Sequence, residues 1–465
     1  MKDGEVAVAT PHAATPSVPL SFDICFGWGL GTLGMSLMFQ GVSLLVLRYL
    51  VDYVGVAAGI AGTLIGIAKI YDTLTDPVMG TISDRTRSRW GRRRPYLLLG
   101  GLISAASFVL LFNLAAFQHL APQLVIGLVA FALLLNATGY TIFNVPYIAM
   151  PAEMTNHYHE RTKLISFRAG AVAIGGVTAT AIGPALIDLF GGGAEGHGLM
   201  SWVLGLVIVL ASFFCFWMTR KAPTVTATSS FGVGWREQFR TAAGNRPFML
   251  LLSVKLAHLV GLAMYLSTMP FFFSVILNVS LSYMGLYFLV QSSFILFSQF
   301  GWVYLTKRVG KNIAYYLAAS FYVVALASWL LASEGEPFEM IALRAVFTGM
   351  GAGGVLLIGQ SLLPDTMQYD FQRTGLRREG IFAGVYTTVE KLAFAVGPAL
   401  IGILLGSAGY VAGADMAQAQ NEASRSVIYL GVSLLPATAI AAAGLLMTRF
   451  RLDEAELKRT AAGSG

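Results

Sequence analysis

The chain has 465 residues, of which 56% are hydrophobic and only 12% are charged. Soluble domains carry about 25% charged residues, so a soluble protein of this composition would expose large apolar patches. The composition therefore indicates an integral membrane protein. The net charge of +7 does not indicate a nucleic-acid partner, because the basic residues fall in short turns between apolar runs.

Twelve apolar runs are long enough to cross a bilayer as helices, which takes about 20 residues each. The runs lack the alternation of polar and apolar residues that marks the strands of a membrane barrel. We therefore predict an all-α integral membrane protein with twelve transmembrane helices. In chain order, the predicted helices lie near residues 22–49, 56–82, 95–117, 123–151, 164–190, 199–219, 246–276, 283–305, 312–333, 338–363, 379–408 and 427–449.

Lysine and arginine concentrate in every second turn between these helices. The alternate turns carry mainly acids, such as Asp188 and Glu336. Because basic turns stay in the cytoplasm, the pattern predicts a multi-pass protein of the plasma (inner) membrane with both termini inside. The turn after the second helix is the most basic, with Arg85, Arg87, Arg89, Arg92, Arg93 and Arg94.

A long polar stretch, residues 220–247, divides the predicted helices into six and six. The turn after the second helix has a faint counterpart after the eighth, where Gly301 precedes Lys307 and Arg308. Two corresponding halves are typical of a transporter with a central site, so we predict two six-helix bundles. The predicted domains are a disordered N-terminal tail (1–20), a first bundle (21–219), a cytoplasmic linker (220–247), a second bundle (248–449) and a cytoplasmic tail (450–465).

Two acids, Asp72 and Asp76, lie inside the second predicted helix. At a spacing of four residues they share one helix face, about 6 Å apart. Acids at membrane depth usually face a cavity, and two adjacent carboxylates repel each other unless they share a cation or a proton. The pair therefore predicts a cation-coupling site. The alternative is a pair at a helix end that is hydrated from the cytoplasm.

Cations also lie at membrane depth. Lys391 follows Glu390 in the middle of the eleventh helix, where neighbouring side chains point about 100° apart and need not pair. Lys391 could pair with Asp72 or Asp76 across the two halves, or bind a substrate. Arg168 begins the fifth helix in a similar way, and a structural salt bridge is the alternative for both cations.

Three other charged side chains receive simpler interpretations. Lys255 and His258 lie about two turns from the inner end of the seventh helix, where snorkelling explains them. Arg344 lies near the outer end of the tenth helix, and we predict an interfacial pair with Glu339.

The turn after the second helix resembles the helix II–III signature of the major facilitator superfamily. We expect it to form a charge-paired latch at the cytoplasmic ends of the helices. Ordinary positive-inside topology is the alternative, although Asp84 has no use in topology. The residues of the predicted latch are Gly80, Asp84, Arg85, Gly91, Arg92 and Arg93.

Several stretches together resemble one family within that superfamily, the glycoside–pentoside–hexuronide:cation symporters. The matching stretches run through both halves: 68-AKIYDTLTDPVMG-80, 84-DRTRSRWGRRRPY-96, 140-YTIFNVPY-147, 151-PAEMT-155 with 160-ERTKLISFR-168, and 364-PDTMQYDFQRTGLRREG-380 with Lys391. The resemblance implies the major facilitator fold and cation-coupled transport of a sugar by alternating access.

The resemblance also implies residue roles. Asp72 and Asp76 match the acids that bind the coupling cation, and Thr141 matches the threonine that supports them. The positions that match the substrate site are Tyr140, Arg168, Thr387 and Lys391, with Tyr386 as a further polar residue of the cavity.

Three departures bear on the substrate. In the melibiose permease of that family, acids stand where this chain has Ser36 and Asn144, and a sugar-stacking tryptophan stands at Ile148. The acceptors for a galactoside are therefore missing. Retention of Arg168 and Lys391 beside two lost acids suits an anionic substrate such as a hexuronide. Relatives with a similar second helix carry lysophospholipids, so a lysolipid or other amphiphile is the alternative substrate.

We therefore predict a secondary active transporter that couples a glycoside, sugar or hexuronide to a cation. A non-transporting sensor or scaffold would not need Asp72, Asp76 and Lys391 at membrane depth, and no sequence motif indicates an enzyme or a cofactor. The loss of an acid at Asn144 favours H⁺ over Na⁺, although Na⁺ could bind at Asp72 and Asp76. The expected partners are the small-molecule substrate and the lipid bilayer, and we expect a monomer.

Overall fold

The computed structural model describes residues 19–155, 157–223, 240–375, 378–413, 420–450 and 452. Most of the predicted N-terminal tail, most of the predicted linker and nearly all of the predicted C-terminal tail lie outside these residues. The described part of the chain is helical and contains no β-strand.

Fourteen α-helices are present in the described residues. Four of them, α3, α4, α6 and α8, have a proline in the first turn, where its missing N–H group costs no hydrogen bond. The helices are α1 (Phe22–Arg48), α2 (Ala58–Arg85), α3 (Arg94–Leu111), α4 (Pro122–Met154), α5 (Tyr158–Val177), α6 (Gly183–Leu189), α7 (Gly193–Thr219), α8 (Arg246–Phe271), α9 (Leu281–Val309), α10 (Lys311–Ala327), α11 (Phe338–Thr374), α12 (Glu379–Ser407), α13 (Glu422–Val432) and α14 (Leu434–Met447).

Eleven helical stretches in the described residues are long and apolar enough to cross a membrane. Helices α5 and α6 are joined by a π-helical segment (Thr178–Ile182) into one such stretch, and α13 and α14 form another. Helix α2 has 28 residues and the length to span, but Lys69, Asp72 and Asp76 make it more polar than the other eleven. Eleven of the twelve predicted spans are thus both long and apolar enough to cross a membrane. The twelfth, α2, is long enough but less apolar.

Helix α11 is longer than the sequence predicts. The apolar run ends near residue 363, whereas the helix continues to Thr374 and stops at Gly375, whose φ of 67° favours glycine. Ion pairs hold its polar end: Asp365 contacts Lys311 at 2.6 Å, and Asp370 contacts Arg378 at 2.9 Å. These pairs let the helix extend beyond the length that the apolar run requires.

The bundle has two differently charged ends. We call the end that carries residues 85–94 and 307–311 the basic face, and the end that carries Asp188 and Glu336 the acidic face. The basic face is the one predicted to be cytoplasmic. Helices α1–α7 form the first half and α8–α14 the second, and the halves meet where α2 packs on α12, α1 on α8, and α9 on α6.

The backbones of α2 and α12 touch in the part of the membrane nearer the acidic face. A Cβ atom on Gly62 would lie 2.6 Å from the carbonyl oxygen of Pro398 and 3.0 Å from the Cα atom of Gly402. Because these neighbours are backbone atoms, only glycine fits at this crossing. Small residues of this kind allow membrane helices to approach closely.

Polar contacts also join the two halves at the acidic face. The Tyr410 hydroxyl of the second half donates to Oδ1 of Asp52 at 3.0 Å, while Arg48 contacts Oδ2 of the same carboxylate at 3.0 Å. The backbone N–H of Ser282, in the second half, donates to Oδ2 of Asp188 at 2.6 Å. In both contacts a carboxylate of the first half receives a donor from the second.

The basic face differs in this respect. Its described ion pairs, such as Asp84 with Arg93 and Lys311 with Asp365, each lie within one half. The polar contacts named above therefore join the two halves at the acidic face, while the ion pairs of the basic face lie within each half.

Candidate functional site

The two acids of α2 and the lysine of α12 lie together at the centre of the molecule. Lys391 Nζ is 2.9 Å from Oδ2 of Asp72 and 2.6 Å from Oδ2 of Asp76. Their side chains are 11%, 2% and 29% exposed, respectively. The expectation that Lys391 pairs with the acids across the two halves is confirmed, and the lysine contacts both.

Helix α4 completes this cluster. The Thr141 hydroxyl lies 2.5 Å from Oδ1 of Asp72 and 3.2 Å from Oδ1 of Asp76. Thr75 Oγ1 is 3.4 Å from the same hydroxyl. Both oxygens of Asp72 therefore have a partner, which is what a buried carboxylate requires.

The cluster offers a cation several oxygens. The described residues contain no group of three or more His, Cys, Asp or Glu side chains placed to hold a metal ion. A cation here would therefore depend on two carboxylates and on neutral oxygens such as that of Thr141. The Lys391 ammonium lies between the two carboxylates, where it provides the positive charge that they require.

Tyr140 lies beside the cluster and lines a small cavity next to it. Its ring centroid is 5.6 Å from Lys391 Nζ, and Arg168 and Glu390 both lie within electrostatic range of it. Lys69, which the sequence analysis did not single out, is 4.3 Å from the ring centroid of Phe39. A small cavity of about 20 Å³ lies beside it, lined by Lys69, Phe39, Asp72, Asn136 and Tyr140 among others.

The other predicted substrate residues have varied surroundings. Arg168 Nε is buried and has no hydrogen-bond partner among the described residues, which is unusual for a charged group. Ser36 donates its hydroxyl to the backbone oxygen of Val172 at 2.9 Å, so its donor is already used between α1 and α5. Thr387 is exposed and donates to Gly384 O at 2.9 Å.

Asn144 and Ile148 lie further along α4 toward the basic face. Asn144 is one turn beyond Thr141 and makes no contact with Asp72 or Asp76 among the described interactions. Ile148, one turn further, is 48% exposed. Neither position brings an acid to the cavity, in keeping with the departures noted in the sequence.

Lys255 is not a snorkelling residue, and that prediction is wrong. Its side chain is only 9% exposed, and its Nζ atom lies 3.0 Å from both Oε2 of Glu390 and the backbone oxygen of Tyr386. The same ammonium is 3.1 Å from the Tyr386 ring centroid. Packing of α8 against α12 encloses the lysine, which its position along the helix could not indicate.

The predicted pair between Arg344 and Glu339 is also wrong. Arg344 contacts Glu336 instead, and the two side chains are 8% and 10% exposed. The guanidinium also lies 5.1 Å from the Trp329 ring centroid. Helix α11 begins at Phe338, so Glu336 lies in the preceding turn, which folds back over Arg344, while Glu339 faces outward.

The predicted latch forms a network within the first half. Arg93 contacts Asp84 at 2.8 Å and Glu153 at 2.7 Å, and Arg92 contacts Glu153 at 2.5 Å. Gly91 has a φ of 93°, which favours glycine in the turn, and the nearest atom to a Cβ on Gly80 would be 3.8 Å away. The described contacts give Arg85 no ion-pair partner.

Glu153 lies in the stretch 151-PAEMT-155, but the sequence did not predict that it would pair with Arg92 and Arg93. Its counterpart in the second half is Asp365, which contacts Lys311 of the corresponding turn at 2.6 Å. A cleft of about 580 Å³ lies beside the turn between α2 and α3 and is lined by residues 84–88, 91 and 92. It lies two helical turns from Asp76 and is a feature of the surface, not of the central site.

The chain is similar to known membrane transporters along most of its length. The inner membrane symporter YicJ of Escherichia coli K12 is 26% identical to this chain, over 91% of the chain and 90% of the relative. A glucuronide carrier protein homologue of the same organism is 25% identical, over 84% and 85%. A solved structure of a bacterial homologue of the human lysosomal transporter Spinster matches with a TM-score of 0.66 at 15% identity, covering 97% of this chain and 99% of that one.

The likeness to that solved structure establishes the major facilitator fold. A family model described as MFS/sugar transport protein matches residues 27–454, which include both halves and every residue of the central cluster. The chain therefore belongs to the MFS/sugar transport protein family of multi-pass membrane transporters.

Proposed function

We propose that this protein is a cation-coupled symporter that carries a sugar, glycoside or hexuronide by alternating access. The observation that carries the proposal is the position of Lys391 Nζ, on one half, within 3.0 Å of two carboxylates on the other. Charges at membrane depth are costly and usually functional. Because these ion pairs cross the interface between the two halves, an ion that binds the carboxylates changes how strongly the halves are held together.

Coupling follows from competition at the carboxylates. A cation that binds Asp72 and Asp76 takes over the role of the Lys391 ammonium, which then becomes free to move or to contact substrate. The Thr141 hydroxyl, 2.5 Å from Asp72, can remain as a neutral ligand or donor. Cation binding thereby changes the contact between α2 and α12, where the two halves approach most closely.

Arg168 favours a substrate with an anionic group. Its buried Nε atom lacks a partner among the described residues, and guanidinium groups bind carboxylates through paired hydrogen bonds. The relative named as a glucuronide carrier homologue would have a substrate of this type. A hexuronide offers a carboxylate for Arg168 and hydroxyl groups for the polar side chains around Tyr140.

A lysolipid is less well supported. An amphiphile needs a continuous apolar path for its acyl chain, while the two cavities beside the cluster are lined by the charged side chains of Lys69, Asp72, Lys255 and Glu390. We also propose that the basic face is cytoplasmic, as the distribution of arginine and lysine indicates.

Uptake into proteoliposomes tests the proposal. Purified protein is offered radiolabelled glucuronides, neutral glycosides and lysolipids, with an inward gradient of H⁺ or of Na⁺ and with none. We expect accumulation of a glucuronide or glycoside above its external concentration only when a cation gradient is present. Uptake of lysolipid alone, or sugar uptake that never exceeds equilibrium, would contradict it.

A further inference from the structure

The ion pair between Lys255 and Glu390 is built asymmetrically. The lysine is 9% exposed and has two oxygen partners and an aromatic ring around its ammonium. The glutamate is 47% exposed, and only Oε2 faces the lysine. A buried ammonium is costly unless it is paired, and this one fixes the position of a half-exposed carboxylate whose second oxygen, Oε1, has no hydrogen bond among the described contacts.

A cavity of about 120 Å³ lies at this pair, within the second half. Leu251, Val254 and other aliphatic residues form part of its wall, and its polar and aromatic lining consists of Lys255, His258, Tyr315, Gln360, Tyr386 and Glu390. Pockets that hold a whole small molecule measure about 300–1,000 Å³. The cavity therefore has room for only part of a ligand.

The chemistry of this lining suits a glycosyl group. Sugar hydroxyls donate strong hydrogen bonds to a carboxylate, and the C–H faces of the ring pack against aromatic side chains. His258 and Gln360 can donate or accept further hydrogen bonds. The carboxylate of a substrate would be repelled here, which leaves that group to Arg168 on the other half.

The cavity is close to the central cluster. Glu390 is adjacent in sequence to Lys391 and lies within electrostatic range of Tyr140. The first half has no acid at Ser36 or Asn144, and the Ser36 hydroxyl is already bonded to Val172. An acceptor for sugar hydroxyls must then come from elsewhere, and Glu390 is the half-exposed carboxylate beside the cavity.

We propose that Glu390, positioned by Lys255, accepts hydrogen bonds from the hydroxyl groups of the glycosyl part of the substrate. The inference rests on the proposed function and extends it. It defines the orientation of the bound substrate. The hydroxyl groups face α8 and α12 of the second half, and any carboxylate faces Arg168 of the first half. A ligand held this way bridges both halves and can draw them together.

Binding of two probes to the full-length protein tests this assignment: p-nitrophenyl β-D-glucoside and p-nitrophenyl β-D-glucuronide. Because a hydrogen bond to a charged group is lost, Glu390→Gln should weaken both probes roughly tenfold. Glu339→Gln, which neutralises an exposed acid of α11, should leave both affinities unchanged. Monodeoxy forms of the glucoside identify the hydroxyl, because the form that lacks it should bind wild type and Glu390→Gln equally.

The double variant Lys255→Met with Glu390→Gln distinguishes two roles of the ion pair: binding the ligand, or only holding α8 against α12. If the pair only braces α8 against α12, removing both charges should restore wild-type affinity, and that result would overturn the assignment. If Glu390 binds the sugar, the double variant should fold, as judged by its elution and melting temperature, and still bind roughly tenfold more weakly.

The remaining outcomes distinguish this inference from the proposed function. Wild-type protein that binds the probes while Glu390→Gln binds them with unchanged affinity refutes the role of Glu390 alone. Wild-type protein that binds neither probe refutes the sugar substrate and this inference together.

Discussion

Lys391 Nζ and Oδ2 of Asp76 lie 2.6 Å apart, although 315 residues separate them in the sequence. One belongs to the second half and the other to the first, so this ion pair holds together two parts that must separate during transport. A cation that binds between Asp76 and Asp72 would compete with the lysine for both carboxylates. The coupling prediction follows from this relationship.

We expect Asp72→Asn and Asp76→Asn each to abolish accumulation of substrate while leaving some binding. Each change removes one of the two negative charges that hold a coupling cation, and it does not remove the residues around the sugar. Measured in proteoliposomes, the internal concentration should rise no higher than the external one. If either variant still concentrates substrate normally, that carboxylate is not part of an obligatory coupling site.

Gly62→Ala should prevent closure at the acidic face. The new methyl group would lie 2.6 Å from Pro398 O and 3.0 Å from Gly402 Cα, so α2 and α12 must move apart. Overpacking of this kind costs about 1–3 kcal/mol, and we expect the transport rate to fall roughly tenfold. Alanine favours helices more than glycine does, so weaker helix formation would not explain the loss.

Gly59→Ala is a matched control one turn away on the same helix. A Cβ atom at Gly59 would be 3.9 Å from its nearest neighbour, Gly402 O, which is an ordinary contact. The control should transport at close to the wild-type rate. Equal rates in the two variants would show that the close approach at Gly62 is not needed for the cycle.

Tyr410→Phe should favour opening at the acidic face. The change removes the 3.0 Å hydrogen bond to Asp52, while Arg48 still neutralises that carboxylate. A hydrogen bond to a charged group contributes about 1.5–3 kcal/mol, so the closed population should fall roughly tenfold or more. Distances between spin labels on the two halves measure the shift.

Tyr429→Phe is the corresponding control, because the Tyr429 hydroxyl donates to Ala332 O at 2.8 Å within the second half.

The Tyr410 contact should also resist alkaline pH. Burial, and then the charge of Asp52, raise the pKa of Tyr410. Its hydroxyl therefore remains a donor below pH of about 10, the ordinary tyrosine pKa, and the stabilisation is lost only above it. A closed population that changes between neutral pH and pH 9 would argue against this contact.

The linker is expected in the cytoplasm, together with both termini. Thr226→Cys places a thiol in this linker, outside the described residues, and an impermeant reagent added to intact cells should not label it. The distribution of arginine and lysine is the reason for this prediction. Strong labelling from outside would reverse the orientation of the basic and acidic faces.

Protons are expected to drive uptake better than Na⁺. The carboxylates of Asp72 and Asp76 can share a proton, whereas Na⁺ would lack the third acid that Asn144 replaces. Uptake should proceed in an inward pH gradient at nominally zero Na⁺, and Asn144→Asp should increase stimulation by Na⁺. Uptake that is absent without Na⁺ and saturates with it would exclude the proton.

The sequence predicted most of the helices and the central cluster for simple physical reasons. Long apolar runs have few alternatives to membrane helices, and charges buried in them need partners of opposite sign. Asp72, Asp76 and Lys391 therefore identify one another even though they lie far apart in the chain. The resemblance to a family added Thr141, which its residue type alone would not have indicated.

The features that the sequence missed depend on contacts between helices. Depth along a helix placed Lys255 near the membrane surface, but only the packing of α12 reveals that it is covered. Arg344 pairs with Glu336 and not with Glu339 because of the path of the turn that precedes α11. The extension of α11 depends on Lys311 and Arg378, which lie outside that helix, and the bond from Tyr410 to Asp52 joins residues with no shared pattern.

The central cluster also determines how the membrane potential acts on the transporter. The charged side chains here are Asp72, Asp76, Lys391 and the neighbouring Lys69, and one bound monovalent cation adds one positive charge to them. A full charge that crosses the membrane gains or loses about 2.3 kcal/mol per 100 mV. With a neutral sugar, the loaded and empty forms of the site differ by one charge, so at least one of the two must sense the voltage when it crosses the membrane. An interior-negative potential therefore drives net uptake of a neutral sugar together with its cation, whether it acts on the loaded site or on the return of the empty one.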